Sequence, residues 1–429
     1  MNLAFVRYEE LMNIEKTGRL IVMEYDPLWN LEKQFFKVVE FMVNSGYEIV
    51  VTDILDELAI YSYQADVKGL DYSIIKKIPV VKVGGHKDIG KVIGKVPLES
   101  YSMIKKKLAE SFSSYFKNEG VVVNILLGIE KYLLLLETHE AVSMIHDMVL
   151  TSALNKNFVN LLLINKDVLA GINEGVRAML EEAASMLLIP RKNRLKIIKS
   201  PDPALVGKHL LLKEERMAEI ALEQFLNYLL PKETVIINFR SVDTPYELVR
   251  GILEWAKGYD VIITDTLDNL EIYKHFLDAK GYGDLLKRVN IIKIGGVSEK
   301  GNIIKRVNLS ISLSGRDEYM KAISSVTHKN KKALNLVIGL EKAALLFDRR
   351  GVLNLLDHLE YVLLEKPRSV FDIALVNLDI IEKARIEVKG MANALATTIC
   401  VVERENGNLY LKVLKCPKEE LIGVRVITS

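Results

Sequence analysis

"GYEIVVTDILDELAIYSYQADVKG", Gly46 to Gly69, returns later in the chain as "GYDVIITDTLDNLEIYKHFLDAKG", Gly258 to Gly281. Thr52, Asp53, Leu55, Asp56, Leu58, Ile60, Tyr61, Asp66, Lys68 and Gly69 recur as Thr264, Asp265, Leu267, Asp268, Leu270, Ile272, Tyr273, Asp278, Lys280 and Gly281. The agreement extends in order along both halves. "VVKVGG" ending at Gly85 pairs with "IIKIGG" ending at Gly296. "NILLGIEK" from Asn124 pairs with "NLVIGLEK" from Asn335. "LLINKD" ending at Asp167 pairs with "ALVNLD" ending at Asp379. Even "LKIIKSPDPALVGKHLLL" pairs with "LKVLKCPKEELIGVRVIT" near the end of each half. Collinear agreement of this extent makes the chain a tandem duplication. The boundary falls near Lys213 to Glu219, giving domains 1–213 and 214–429. Two large copies are not a solenoid, which needs several short repeats.

Each copy has the same layout. A short amphipathic helix opens it ("YEELMNIEK"; "EERMAEIALEQFLNYLL"), and a buried strand follows ("LIVMEY"; "VIINF"). A helix comes next; in the second copy Thr244 is its expected N-cap, with Pro245 at the first helical position and Glu247 completing a capping box. Gly46 and Gly258 close these helices. Further apolar strands alternate with helices, the pattern of a parallel sheet covered on both faces. Each copy ends as a β-hairpin, with Asn406-Gly407 at the second copy's turn.

The composition fits two folded α/β domains. Hydrophobic residues are 49% and charged residues 27%, well away from a disordered composition. The first half carries 27 Lys+Arg against 26 Asp+Glu and the second 31 against 30, so neither is a basic nucleic-acid footprint. The early charges of the N-terminus argue against a signal peptide. The greasiest run, "VVVNILLGIEKYLLLLE", is interrupted by Asn124, Glu130 and Lys131 and reads as a strand and a helix, not a membrane span. A cytoplasmic protein is expected. Cys400 and Cys416 read as buried free thiols, with a hairpin disulfide as the other option. Abundant Lys, Glu and Ile suggest a thermophile.

"GGHKDIGKV", Gly84 to Val92, imitates a phosphate-binding P-loop. That loop needs a helix after it, and a Ser or Thr for Mg²⁺ after its Lys. Here Val92 stands in the hydroxyl position, and "GKVIGKVPLES" reads as a strand or extended loop. The copy, "GGVSEKGNI", replaces Lys91 with Asn302 and keeps the glycines. What persists is a Gly-rich turn with a backbone role. After the first strand, where a phosphate loop belongs, neither "MEYDPLWNLEKQ" nor "NFRSVDTPYELV" contains glycine.

"VIINFRSVDTPYELVRGILEWA", "TDTLDNLEIYKHFL" and "IIKIGG....GNIIKRV" resemble the archaeal family called domain of unknown function 257. The resemblance covers most of both halves and implies a remote relationship to RecA/KaiC-class ATPases without the phosphate loop. It therefore implies two tandem RecA/KaiC-like domains, each a mostly parallel sheet covered by helices with a C-terminal β-hairpin. It implies no reaction. Glu130 and Glu341 follow the central strand, either as shifted substitutes for a Mg²⁺-binding acid or as acids favoured at a helix start.

The candidate site residues lie at strand ends, where ligands sit in open α/β sheets. Asp53 and Asp56, like Asp265 and Asp268, suit a shared cation or proton, or the capping of the next helix. Lys82 and Lys293, before Gly84-Gly85 and Gly295-Gly296, suit an anion or an ion pair with those aspartates. Arg240, Ser241 and Thr244 suit an anion at a helix start. Asn165 and Asp167, with Asn377 and Asp379, either line the same cleft or cap a turn. His139 and His146 are seven apart, not the four that let two helical histidines share one zinc. No metal or nucleophile motif is present, and the Lys105–Lys107 run reads as a solvated face.

The expectation is a non-catalytic protein of assembly or regulation, with small-anion or nucleotide binding open. One alternative is an ATP-binding protein or nucleotide-dependent enzyme with a non-standard strand-end site. Another is a nucleic-acid-associated RecA relative, the least favoured. No cofactor is indicated, although ATP or another nucleotide stays open. A protein partner or self-association also stays open.

Overall fold

The computed structural model describes residues 19–113, 120–155, 157–191, 194–211, 218–243, 245–308, 313–328, 331–347, 349–405 and 408–428. The chain divides into two compact units, Met1–Glu214 and Glu215–Ser429.

The first unit is built on β1 (Leu20–Tyr25), β2 (Glu48–Ile54), β3 (Pro79–Val83), β4 (Lys91–Val96), β5 (Val122–Leu127), β6 (Phe158–Asn165), β7 (Met186–Arg191), β8 (Arg194–Lys199) and β9 (His209–Leu211). Their order across the sheet is β4-β3-β2-β5-β6-β1-β7-β8-β9. Neighbours from β4 to β7 are parallel, and β7, β8 and β9 are antiparallel. The inner strands are mostly apolar, as strands covered on both faces are: β1, β5 and β6 are buried at every residue. β4 differs. It lies at the sheet's edge and turns Lys91, Ile93 and Lys95 outward, and edge lysines oppose pairing with another chain. The near-P-loop thus runs from strand to strand.

The second unit repeats the plan. Its strands are β10 (Glu219–Ala221), β11 (Thr234–Phe239), β12 (Asp260–Thr266), β13 (Asn290–Ile294), β14 (Asn302–Val307), β15 (Ala333–Ile338), β16 (Val370–Asn377), β17 (Thr398–Glu405), β18 (Asn408–Lys415) and β19 (Arg425–Ile427). The order is β10-β19-β18-β17-β11-β16-β15-β12-β13-β14. β17 and β18 form the antiparallel hairpin expected near the end; Asn406 and Gly407 lie outside the described residues. Cys400 and Cys416 are buried free thiols, and burial pushes the Cys400 thiol well above its ordinary range.

The helix Leu31–Asn44 packs Phe35, Phe36, Val39 and Met42 into the first core. Gly46 closes it at φ +82°, donating to the Val43 carbonyl at 3.1 Å. The second copy handles this corner differently, through a 3-10 turn at Ala256–Gly258. The opening of that copy also departs from the expected single helix. Glu219–Ala221 forms β10, parallel to β19, and only Leu222–Asn227 is helical. A backbone ladder with a strand two hundred residues downstream satisfies those amides better than an isolated helical turn. The helix after β11 starts at Tyr246, one residue later than expected. Tyr8–Lys16 of the expected first helix and Thr244 lie outside the described residues.

Candidate functional site at the strand ends

β2 and β3 run parallel with Asp53 beside Lys82; β12 and β13 set Asp265 beside Lys293 in the same register. Side chains at matched positions of neighbouring strands share a face. The Lys82 ammonium therefore meets the Asp53 carboxylate at 2.8 Å, and Lys293 meets Asp265 at 2.6 Å. The other oxygen of each aspartate accepts from the first turn of the next helix: the Leu58 N–H to Asp53 and the Leu270 N–H to Asp265, each at 2.9 Å.

The second aspartate of T-D-x-L-D arrives by a strained route. Leu55 and Asp56 are both left-handed, at φ 53° and 61°, and so are Leu267 and Asp268, at 55° and 57°. Left-handed backbone costs a residue with a side chain about 1–2 kcal/mol. The turn is held because the Leu55 N–H donates to the Val83 carbonyl at 3.0 Å, and the Leu267 N–H to the Ile294 carbonyl at 3.1 Å. It aims Asp56 back over the end of β3. There the carboxylate accepts from the Lys82 ammonium, from the His86 N–H at 2.5 Å and from the Lys87 N–H at 2.9 Å. Asp268 accepts from Lys293 at 2.7 Å, from the Val297 N–H at 2.6 Å and from the Ser298 N–H at 3.1 Å.

The glycine pair is what lets the backbone come this close. Gly84 and Gly85 have φ +66° and +75°; Gly295 and Gly296 have +66° and +77°. A Cβ on Gly85 would lie 2.5 Å from the Asp56 carboxylate, and one on Gly296 would lie 2.6 Å from that of Asp268. Successive amides in such a turn make an anion-binding concavity. In both copies the chain's own carboxylate fills it. Burial acts first on Asp53 and raises its carboxyl, while Lys82 and the Leu58 amide oppose. Burial acts downward on the Lys82 ammonium, but Asp53 and Asp56 outweigh it and leave Lys82 raised. For Asp268 burial is again the largest effect, yet Lys293 and the two amides together overcome it and hold the carboxyl at about 2.

Arg240 and Ser241 lie away from this clamp, beyond the end of β11. Arg240 meets Asp379 at 2.9 Å and Glu382 at 2.7 Å, and the Ser241 N–H donates to Asp379 at 2.8 Å. Asn377 accepts from the Asp379 N–H, and Asn165 likewise accepts from those of Asp167 and Val168, so both cap the helix that follows. In the first copy Asp26 replaces Arg240, and Lys166, where the second copy has Leu378, pairs with Asp26 at 3.0 Å and with Asp167 at 3.3 Å.

The family model described as "Pyrococcus protein of unknown function, DUF257" matches residues 10–211 and again residues 224–427. The chain belongs to the DUF257 family. A solved protein from Pyrococcus horikoshii OT3, the subject of a structural study, is 25% identical to it. That similarity covers 48% of this chain and 98% of the other, with a TM-score of 0.43. No curated protein matches the chain.

Both DUF257 copies also hold a buried glutamate next to the clamp. Gly128 and Gly339, at φ +75° and +78°, start helices so close to the neighbouring strand that a Cβ would lie 2.5 Å from the Ile54 carbonyl oxygen and 2.6 Å from that of Thr266. Glu130 and Glu341 follow in the first helical turn, as their sequence position suggested. Their depth was not legible. Both are buried, and the Oε2 atom of each has no hydrogen-bond partner among the described residues. Burial, then Glu57, pushes Glu130 up to about 8; burial pushes Glu341 up to about 7. Around Glu130 stand a Lys131–Glu57 ion pair at 2.8 Å and Tyr25 bonded to Tyr61. In the second copy Asn269 replaces Glu57 and accepts from Lys342 at 2.6 Å. Among the described residues, no group of three His, Cys, Asp or Glu is placed to hold a metal ion. Nor is any helix there long and apolar enough to cross a membrane.

Proposed function

We propose that the protein is a non-catalytic, duplicated RecA/KaiC-like protein that serves in assembly or regulation. The parallel sheets with helices on both faces and a terminal hairpin support the RecA/KaiC-like reading. One observation carries the rest. In both copies the amides after Gly-Gly and the adjacent lysine, the groups best suited to a phosphate, are engaged by Asp56 or Asp268. An incoming phosphate would have to displace a carboxylate that already has three donors, buried at Asp56 and partly exposed at Asp268, and would leave it unpaired, a costly exchange. The strand ends therefore act as clamps that fix the β2–β3 and β12–β13 corners.

Thermal melting of the whole chain with ATP, ADP, GTP and inorganic phosphate, with and without Mg²⁺, tests this reading. The expected result is no nucleotide-dependent shift and no phosphate release. A saturable stabilisation by nucleotide, as mass action requires of any ligand of the folded state, that disappears in Asp53→Ala or Asp265→Ala would overturn it.

A further inference from the structure

The opposite face of the second sheet holds a different feature. Alternation along β12 turns Asp265 toward the clamp and Thr264 and Thr266 toward the other side. There a cavity of about 160 Å³ lies between the sheet and the helices Leu313–Val326, Leu340–Leu346, Arg349–Glu365 and Ile386–Leu395. Its walls are almost wholly apolar, Ile236, Val337 and Ala374 among them. Part of its polar lining is already satisfied. Thr264 donates to Asn335 at 2.8 Å, Asn335 to Asp372 at 2.8 Å, and Lys366 pairs with Asp372 at 2.6 Å.

Two groups are not satisfied. Thr266 is fully buried, and its hydroxyl has no partner among the described residues. Arg316 stacks its guanidinium 3.8 Å over the Tyr361 ring, while its buried Nε and Nη1 have no partner among the described residues. Both residues line the cavity. Buried donors left unpaired are costly, so a site that keeps them invites an acceptor.

The first copy shows what a closed version looks like. By the collinear alignment, Tyr132 stands where the cavity has Ala343, and Leu180 where it has Ala392; both are buried. Ile54 stands in place of Thr266. Lys105 stands in place of Arg316 and Asp147 in place of His358, and these two pair at 2.8 Å. Compared with the first copy, the second has less bulk at two positions, a hydroxyl at a third, and a histidine where the first copy's lysine finds its carboxylate.

From this we infer that the second half is a binding site for a small apolar carboxylate, the size of benzoate or phenylacetate. Its ring or branched chain lies against the aliphatic walls, and its carboxylate meets Arg316 and the Thr266 hydroxyl. A dry apolar cavity of roughly 150 Å³ accommodates benzene, which sets the size class. A charged guanidinium N–H suits a carboxylate oxygen. This inference goes beyond the proposed assembly or regulatory role and uses no residue of the strand-end clamp.

Calorimetric titration of the full chain with phenylacetate and benzoate, beside toluene and acetate, tests it. Saturable binding of the aromatic acids is expected, at least tenfold tighter than acetate or toluene. Arg316→Met should weaken it at least tenfold and Thr266→Val several-fold. Ala343→Tyr, which restores the first copy's residue, should abolish binding while the variant melts at or above the parent temperature. No heat from either aromatic acid would overturn the inference. So would equal affinity for toluene with no effect of Arg316→Met, or unchanged binding in folded Ala343→Tyr.

Discussion

The ammonium of Lys293 reaches the Asp268 carboxylate at 2.7 Å across the mouth of a turn that only glycine can form at Gly296. The same ammonium holds Asp265 at 2.6 Å and is almost wholly buried. One cation therefore neutralises two carboxylates that desolvation would otherwise penalise. Removing it should be far more damaging than removing a surface lysine. Lys293→Met is expected to cost about 3–5 kcal/mol of unfolding free energy. Urea denaturation of this variant beside Lys300→Met, whose contact to Glu271 is exposed and 3.5 Å long, makes the comparison. Equal midpoints would remove the clamp's structural role.

The glycine argument separates into conformation and space. Gly296 and Gly281 have nearly the same φ, +77° and +79°, yet a Cβ on Gly281 meets nothing within 4 Å. Gly281→Ala should cost only the left-handed strain, about 1–2 kcal/mol. Gly296→Ala should cost clearly more, because the Asp268 carboxylate must move. Chemical denaturation of both variants measures the difference, and a Gly296→Ala loss no larger than that of Gly281→Ala would count against the close approach.

Glu130 and Glu341 should make stability fall with rising pH. Their ordinary value is 4.5, and the fold raises them to about 8 and about 7. The folded state thus keeps protons that the unfolded chain releases. This contribution is fully present below pH 4.5 and is lost as pH rises through 7 and 8. Glu130→Gln and Glu341→Gln should flatten the decline, and at pH 9 each should be more stable than the parent by at least about 1 kcal/mol. Denaturation midpoints at pH 5, 7 and 9 decide it; an unchanged slope in both variants would assign the decline elsewhere.

Arg240 offers the contrasting case. Its ion pairs with Asp379 and Glu382 are short, but the side chain is nearly half exposed. Such pairs are worth little in water. Arg240→Ala should change stability by less than about 1 kcal/mol, with the change shrinking further in 1 M salt. A larger, salt-insensitive loss in a melting experiment would show that this corner matters more than its exposure implies.

The duplication made most of the fold readable. Apolar runs such as "VVNILL" and "FVNLLLIN" announced buried parallel strands, and retention in both halves singled out T-D-x-L-D and K-x-G-G. The pairing of Lys82 with the aspartates was open in the sequence as one of two options. The turn between the aspartates was not legible, because Leu55 and Leu267 carry no glycine or asparagine to signal left-handed backbone. Nor was the division of labour: Asp53 caps the helix, while Asp56 crosses to the next strand. Strand β10 was hidden because its partner Arg425–Ile427 lies at the far end of the chain, beyond any local pattern. The cavity was hidden for a different reason. Ala343 opposite Tyr132 looks like drift until packing shows that neighbouring differences open the same space.

The differing charges beside β1 and β11 bear on how two halves of one fold sort themselves out. Tandem repeats risk trading elements while they fold. In the first half, Asp26 is matched by Lys166; in the second, Arg240 is matched by Asp379. If β1 docked beside β16, Asp26 would confront Asp379, with Leu378 where its lysine belongs. Like charges brought together disfavour a wrong pairing. The sign change at this one position is thus a weak address label: exposed charges are worth little, and it tilts the opening strand only slightly toward its own half.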